Sequence, residues 1–344
     1  MKILITGGGG FVGSRLAGAL LARGRLAGAA IDQIVLADQV APRPGLTSDR
    51  RVEVRVGPLL SQCEALGKEG FDGVFHLASA VSGECEADFD LGLRSNLDTT
   101  RALLDALRAA TARGGNPARL VFSSSVAVYG PDPSKPLPDL VGDDTLPAPK
   151  TSYGTHKLVC EHLIADYSRK GYVDGRSARL MTVTVRPGKP NGAASSFFSG
   201  IIREPLAGIE AICPVSPEVS HPLTSVARTV EGLIAVYEAS VEELGGRLAL
   251  NLPSINATVG EMLAALEEVA GPAVRKLVRF ERDEVVAGIV GNWSRGASAV
   301  RAARLGLTAD KSFADIIRQY IADCRAAPDS AQTLKGLNLG ERRS

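Results

Sequence analysis

Cysteine and histidine are scarce in this chain, and their scatter excludes most of the chemistry they usually carry. The five cysteines of the 344 residues are Cys63, Cys85, Cys160, Cys213 and Cys324. They are odd in number and form no CxxC pair, which predicts reduced thiols in a cytoplasmic protein, with neither a disulfide frame nor a zinc site. The four histidines form no HxxxH or similar ligand pair, so no metal is expected. Excess charge is missing too. A net charge of +1 points to neither a nucleic-acid nor a membrane partner. No apolar run is long enough to span a bilayer, and the first strand begins at residue 2, so no signal peptide is expected. There is no internal repeat and no low-complexity tract.

The chain does have length and apolar content. At 344 residues it suits one large α/β domain with a smaller one beside it, and 45% hydrophobic residues are enough for a real core. The stretch that organises the rest is the first, MKILITGGGGFVGSRL. Lys2 to Ile5 is a short apolar run that reads as a buried strand. Four glycines follow, and then Phe11 to Arg23 with Val12, Leu16 and Leu20 at helical spacing. Strand, glycine turn and helix together form a pyrophosphate site. Glycine lets the backbone turn sharply and approach the anion, and the helix N-terminus offers N–H groups and a positive dipole end. Gly7, Gly10 and Gly13 stand at TGxxGxxG spacing. They predict that Gly7, Gly10, Phe11, Val12 and Gly13 hold a dinucleotide, with Gly13 allowing close helix–strand packing.

The second strand, Gln33 to Ala37, ends at Asp38. An acid there suits adenosine ribose hydroxyls and repels a 2′-phosphate, which favours NAD over NADP. Arg43 and Arg50 nearby oppose that, and a simple loop cap is the alternative. Val52 to Val56 reads as the third strand. Phe71 to Leu77 reads as the fourth, followed by small residues (Ala78, Ser79, Ala80) that let the backbone pass under a cofactor. Arg119 to Phe122 reads as the fifth strand, running into Ser123, Ser124 and Ser125, and Met181 to Val185 as the sixth. Helical spacing covers Asp90 to Ala112 and Ser152 to Lys170. The alternation over the first 190 or so residues implies a Rossmann-type doubly wound parallel sheet spanning residues 1–188. Residues 189–326 are expected to form a smaller C-terminal α/β substrate domain, some of it returning to the first. Its elements are helices over Phe197–Ala207, Val226–Ala239, Val259–Ala270 and Ser312–Arg325 and a strand at Leu248–Asn251. Residues 327–344 read as a mobile tail.

Tyr153 and Lys157, four apart, share a helix face. Ser125 lies at a strand C-terminus, the edge where open α/β sheets bind ligands. A tyrosine is a poor base at its usual pKa near 10. A nearby ammonium favours the phenolate, and lowering that pKa by about three units needs roughly 4 kcal/mol of differential interaction. Tyr153 then takes a hydroxyl proton while a hydride leaves the same carbon. Ser125 holds the substrate oxygen, and Lys157 reaches the cofactor ribose.

TGGGGFVG at Thr6–Gly13, HLAS at His76–Ser79, SSSVAVYG at Ser123–Gly130, YGTHK at Tyr153–Lys157 and RPG at Arg186–Gly188, in that order, resemble the extended short-chain dehydrogenase/reductases. The resemblance implies that Ser125, Tyr153 and Lys157 are the catalytic triad. It implies an NAD site lined further by Leu59, Leu77, Ala78, Asn96, Ser123 and Pro187, and a homodimer joined through the helices at Asp90–Ala112 and Ser152–Lys170. Three motifs depart from the pattern. Gly57-Pro58-Leu59 stands where relatives carry Gly-Asp-Leu, leaving Leu59 to pack on adenine. His221-Pro222-Leu223-Thr224-Ser225 replaces His-Val-x-Asp, and Lys189-Pro190-Asn191-Gly192 replaces Tyr-Gly-Pro.

All three departures fall on the substrate side. The stretches Arg186–Gly208 and Leu77–Glu84 are similar to the sugar-acid dehydrogenases of this superfamily that oxidise the C2 hydroxyl of D-erythronate with NAD. Ser79, Ser82, Asn191, Ser195, His221 and Arg228, with Ser125 and Tyr153, are the candidate substrate contacts. Lys189, Arg203 and Arg228 are candidate cations for the carboxylate, each with a structural alternative, as His221 has in a packed, satisfied ring. A uronate dehydrogenase, a nucleotide-sugar epimerase or dehydratase, and a catalytically silent NAD sensor remain as rival readings. The missing late acid, and Val126 and Ala127 in place of an Asp-Glu pair, weigh against the second.

Overall fold

The computed structural model describes residues 1–42, 44–188 and 194–339. In chain order the main elements are β1 (Lys2–Thr6), α1 (Phe11–Arg23), β2 (Gln33–Asp38), β3 (Val52–Val56), α2 (Leu59–Glu69), β4 (Gly73–His76), α3 (Thr99–Ala112), β5 (Arg119–Ser125), α4 (Ser152–Arg169) and β6 (Asp174–Leu180). They continue with β7 (Thr182–Val183), α5 (Ser196–Leu206), β8 (Ser220–Thr224), α6 (Val226–Glu238), β9 (Leu250–Asn251), β10 (Ile255–Thr258), α7 (Val259–Ala270) and α8 (Phe313–Arg325).

Seven strands form one parallel sheet in the order β9-β6-β5-β4-β1-β2-β3. The order reverses between β1 and β4, which opens a crevice at their C-terminal ends. Strands buried on both faces alternate their side chains between two cores. Ile3 and Ile5 of β1 point into the cluster built with Leu16 and Leu20 of α1 and Leu233 of α6. Leu4 between them points into the opposite cluster, with Leu103, Leu104 and Leu107 of α3 and Ile164 of α4. A third cluster surrounds Phe198, Ile201, Leu223, Met262, Leu266 and Ile317. It backs a three-stranded sheet, β7-β8-β10, in which β8 runs parallel to β7 and antiparallel to β10.

The sixth strand differs from its sequence reading. The strand beside β5 is Asp174–Leu180, while Thr182–Val183 within the expected span pairs with β8 in the smaller sheet. Arg176 and Arg179 hide β6 from a hydrophobicity pattern. Both are buried, and each is hydrogen-bonded throughout. Arg176 Nη1 donates to the carbonyls of Val236, Tyr237 and Ala239, closing the C-terminal end of α6 against the sheet. Arg179 forms a two-pronged pair with Glu161 of α4, at 2.9 and 2.7 Å. The helix expected from Asp90 is broken by a π-turn at Leu93–Asp98 ahead of α3. The stretch from residue 327 carries a short helix, Ser330–Thr333, and a 3-10 turn, Lys335–Leu339, with Leu334 buried; residues 340–344 lie outside the described residues. Among the described residues no helix is long and apolar enough to cross a membrane, and no group of three or more His, Cys, Asp or Glu side chains could hold a metal ion.

Three buried histidines, His76, His156 and His221, are each pulled down by burial and contribute to the pH response of this core. Burial pulls His76 down to about 3 and His221 down to about 4. Both folded values lie below the unfolded one of about 6.5, so below that pH the unfolded chain binds protons that the folded one refuses. Stability therefore falls as pH drops from about 6.5 toward 4, by roughly 2–4 kcal/mol for each of His76 and His221. Urea titrations across that range are expected to show the loss, with a shallower slope in His221→Phe; an unchanged slope would refute the assignment.

Candidate active site

The glycine turn lies where β1 and β4 part. Gly7 has φ +71°, and a Cβ on it would come within 2.8 Å of the Ala78 nitrogen. On Gly13 a Cβ would stand 2.1 Å from the Gly7 carbonyl oxygen. The turn therefore closes to backbone contact with both the start of α1 and the segment after β4. Gly10 is the N-cap of α1, and the first helical turn leaves N–H groups at Phe11, Val12 and Gly13 without intrahelical acceptors. Such a cradle, stripped of side chains and facing a helix N-terminus, fits a dinucleotide pyrophosphate. Leu77 and Ala78 sit beneath it, their N–H groups 3.2 and 3.3 Å from Thr6 Oγ1. The Asp38 carboxylate accepts from Gly9 N–H at 2.9 Å and from Val40 N–H at 3.2 Å, so it ties the glycine turn to its own loop. Leu59 is buried among Val35, Ala37 and Cys63, and the next residue, Leu60, is the exposed one.

Asn96 lies in the π-turn, a feature frequent at functional sites. Its buried amide is fully engaged within the protein. Oδ1 accepts from Ala80 N–H at 2.7 Å and Ser79 Oγ at 3.0 Å, and Nδ2 donates to the Ala80 carbonyl at 3.2 Å and to Cys85 Sγ at 3.3 Å. It thereby fixes the loop that carries Ser79 and leads to Ser82, the half-buried first residue of the helix Ser82–Ala87.

The first turn of α4 brings Tyr153 against the end of β5. Its N-cap is Thr151, whose hydroxyl accepts from Gly154 N–H at 3.0 Å. Gly154 packs so closely that a Cβ would lie 2.1 Å from the Ala127 carbonyl oxygen. The Ser125 hydroxyl favours the ionised form of the Tyr153 phenol, and Ser125 Oγ accepts from Ala127 N–H at 3.1 Å. Lys157, one turn on, is buried and donates to the Ser123 carbonyl at 2.7 Å. Its Nζ stands 4.6 Å from the Phe122 ring centroid and 5.6 Å from that of Tyr153. Ser123 Oγ donates to the His76 carbonyl at 3.3 Å.

The electrostatics differ from the sequence expectation in one respect. Burial pushes the Tyr153 phenol up, and the groups that pull it back are the Ser125 hydroxyl and the Arg186 guanidinium. Lys157 is itself pulled down to about 8 by burial. Arg186 is the residue that sequence reasoning missed as a cation. It opens the RPG run, with Pro187 half-buried behind it, and that run was the available signal. Its backbone is held by α5: its N–H donates to Ser199 Oγ at 3.0 Å and its carbonyl accepts from Arg203 Nη1 at 2.8 Å, while Nε donates to the Val183 carbonyl at 3.1 Å.

The other candidates divide. Arg203 is engaged by that carbonyl and by Glu204, and Arg228 pairs with Glu231 at 2.6 Å on the same helix, so neither is free for a carboxylate. His221 is the packed ring rather than a free donor. Its nitrogens meet Thr182 Oγ1 at 2.8 Å and the Ser294 carbonyl at 3.2 Å, and it stacks on Phe198 at 5.2 Å. Ser195 is the half-buried N-cap residue of α5, without a side-chain cap bond. Asn191 and Lys189 lie outside the described residues, as does Arg43.

The profile of the NAD-dependent epimerase/dehydratase family matches residues 3–245. The chain belongs to that family. It is 48% identical to a D-erythronate dehydrogenase of Cupriavidus necator over 335 residues, 95% of this chain and 100% of that one. A D-erythronate dehydrogenase of Haemophilus influenzae is 41% identical over 93% of this chain and 99% of its own. Among solved structures, a nucleoside-diphosphate-sugar epimerase from Agrobacterium tumefaciens superposes with a TM-score of 0.88 at 43% identity, covering 94% of both chains.

The close approach at Gly13 yields a direct test of the cradle. Gly13→Ala is expected to cost about 1–3 kcal/mol in urea unfolding and to weaken NAD binding at least tenfold by calorimetry. An unchanged affinity would show that the turn does not hold the cofactor.

Proposed function

We propose that this protein is an NAD-dependent dehydrogenase that oxidises the C2 hydroxyl of a small sugar acid, D-erythronate, to the 2-keto acid. The observation that carries the reading is the cluster of Ser125, Tyr153, Lys157 and Arg186 at the C-terminal end of β5, beside a side-chain-free pyrophosphate cradle. The near full-length likeness to two D-erythronate dehydrogenases supports the substrate.

Gly7, Gly10, Phe11, Val12 and Gly13 hold the pyrophosphate and Asp38 the adenosine ribose. Leu77, Ala78, Ser123 and Pro187 line the nicotinamide side, with Lys157 reaching its ribose. NAD, when bound, supplies the acceptor for the C2 hydrogen and its electron pair. Tyr153 Oη takes the C2 hydroxyl proton, and Ser125 Oγ hydrogen-bonds the same oxygen and fixes its position. Burial opposes the phenolate that this transfer needs, and each pKa unit gained amounts to about 1.4 kcal/mol, so nearby cations matter. Lys157 remains largely protonated at neutral pH at a value of about 8. Arg186, with five donors in a fixed fork, is suited to receive the substrate carboxylate, and Ser79, Ser82 and Ser195 are candidates for the substrate's hydroxyl groups. Residues 1–188, joined by α6 and β9, serve as the cofactor lobe, and 189–326 as the substrate lobe. A homodimer through α3 and α4 and a cytoplasmic location, consistent with five unpaired thiols, complete the proposal.

The name of the Agrobacterium relative favours a second reading, a nucleotide-sugar epimerase in which NAD stays bound. One assay separates the two: NADH formation at 340 nm with NAD and a panel of aldonic acids, hexuronic acids and UDP-sugars. Turnover is expected with D-erythronate. Tyr153→Phe should lower kcat by at least 10³, and Arg186→Met should raise KM for the acid about 10²-fold with a smaller effect on kcat. Silence with every acid, with NAD retained on the protein, would overturn the dehydrogenase in favour of the epimerase.

A further inference from the structure

We propose that Glu161 is a positioning residue for this reaction, seating the Tyr153–Lys157 face of α4 on the strand end that carries Ser125. The inference rests on the dehydrogenase reading above. Glu161 lies one helical turn beyond Lys157 and is buried. Its carboxylate accepts from two strands at once. The Ser124 hydroxyl, the neighbour of Ser125 on β5, donates to Oε1. The Arg179 guanidinium of β6 donates to Oε1 at 2.9 Å and to Oε2 at 2.7 Å. Arg179 in turn donates through Nη1 to the Tyr129 hydroxyl at 2.6 Å. That hydroxyl lies 2.9 Å from both the Gly142 carbonyl and the Asn251 amide oxygen of β9.

A buried carboxylate is costly unless its lone pairs are satisfied, and here the partners come from the strands that bracket the site. A shift of α4 along β5 would break the Ser124 bond and distort the forked pair. The register of the helix relative to Ser125 is therefore set by Glu161, in addition to the close contact at Gly154.

Glu161 also acts on the charge of Lys157. The titratable groups that act on Lys157 are Cys160 and Glu161 of its own helix and Cys85 of the helix Ser82–Ala87. His76 of β4 also feels its charge, and the Tyr153 ring lies beside it. Burial pushes both thiols up and His76 down, so all three are neutral at pH 7. Tyr153, pushed up by burial, is neutral as well. Glu161 raises Lys157 and so opposes the burial that drives it toward the neutral amine. Glu161 is itself faced by the Arg179 guanidinium of β6, with the Ser124 hydroxyl alongside.

The test reads Lys157 without cofactor or substrate. In NAD-free protein labelled with [ε-13C]lysine, with the signal assigned by its absence in Lys157→Met, Lys157 is expected to titrate near about 8. Glu161→Gln should lower that midpoint by roughly one pH unit, move the alkaline limb of kcat down with it, and reduce kcat at least tenfold with a smaller change in KM. Because Glu161→Gln leaves Arg179 buried without its partner and can fail to fold, Ser124→Ala is the second variant. It keeps the ion pair and removes only the tether, so kcat should fall several-fold while KM and the Lys157 midpoint stay in place. An unmoved midpoint and limb in a folded Glu161→Gln, or an unchanged kcat in Ser124→Ala, overturns the inference. The two readings fail differently: absence of turnover by the wild-type protein is a failure of the dehydrogenase reading, whereas an active wild type beside such unmoved variants is a failure of this one.

Discussion

The structure depends on one steric constraint, the backbone-to-backbone contact of the glycine turn with the segment that follows β4. Two parallel strands whose helices wind to opposite faces must diverge at their C-terminal ends. In this chain the gap is narrowed to the point that neither Gly7 nor Gly13 has room for a methyl group. Thr6 completes the closure with its side chain, which accepts from the backbone of Leu77 and Ala78 and meets the His76 ring at 2.7 Å. What is left above is a floor of main-chain groups. From there the order of the remaining strands follows: β5 must lie next to β4 for Ser125 to reach the same edge, and α4 must cross over β5 for Tyr153 to meet it.

On the side of β5 away from β4, ionic contacts take over from apolar packing. β6 is buried, yet it carries two arginines, one closing α6 and the other clasping α4. Replacing such pairs with apolar residues often costs little stability, while removing one partner costs a great deal. Their use here is consistent with placement. Apolar packing is non-directional, whereas a forked guanidinium–carboxylate pair fixes both distance and orientation. The helix held by the forked pair, α4, is the one that carries Tyr153 and Lys157.

Legibility from sequence follows the same division. β1 to β3, α1, α6, α7 and α8 were readable because their residues obey one period each, and α7 runs over Val259–Ala270 as its spacing predicts. β6 was misplaced to Met181–Val185 because Arg176 and Arg179 break the apolar pattern, and their partners, Glu161 and the carbonyls at the end of α6, are far away in the chain. That Tyr153, Lys157 and Ser125 come together at one strand end was legible from spacing and order. The nearness of the Arg186 guanidinium to the Tyr153 phenol was not, since local sequence does not say which of several cations will face it. His221 stood in a motif and still became a packed ring, held by Thr182 and by the Ser294 carbonyl, 73 residues away.

The pairing of two different cations around one phenol has a consequence for the kind of substrate the proposed reaction takes. Arginine keeps its proton when buried far better than lysine does, and burial has already drawn Lys157 down to about 8. If a neutral sugar occupied the cleft, Arg186 would face no carboxylate among the described residues in a poorly solvated place, which is costly. A carboxylate at C1 removes that cost and, being adjacent to C2, brings the reacting carbon within reach of Tyr153. It also cancels part of the help that Arg186 gives the phenolate. On this argument Arg186 would select for an acid, while Lys157, its Nζ 5.6 Å from the Tyr153 ring centroid, would keep a cation beside the phenol.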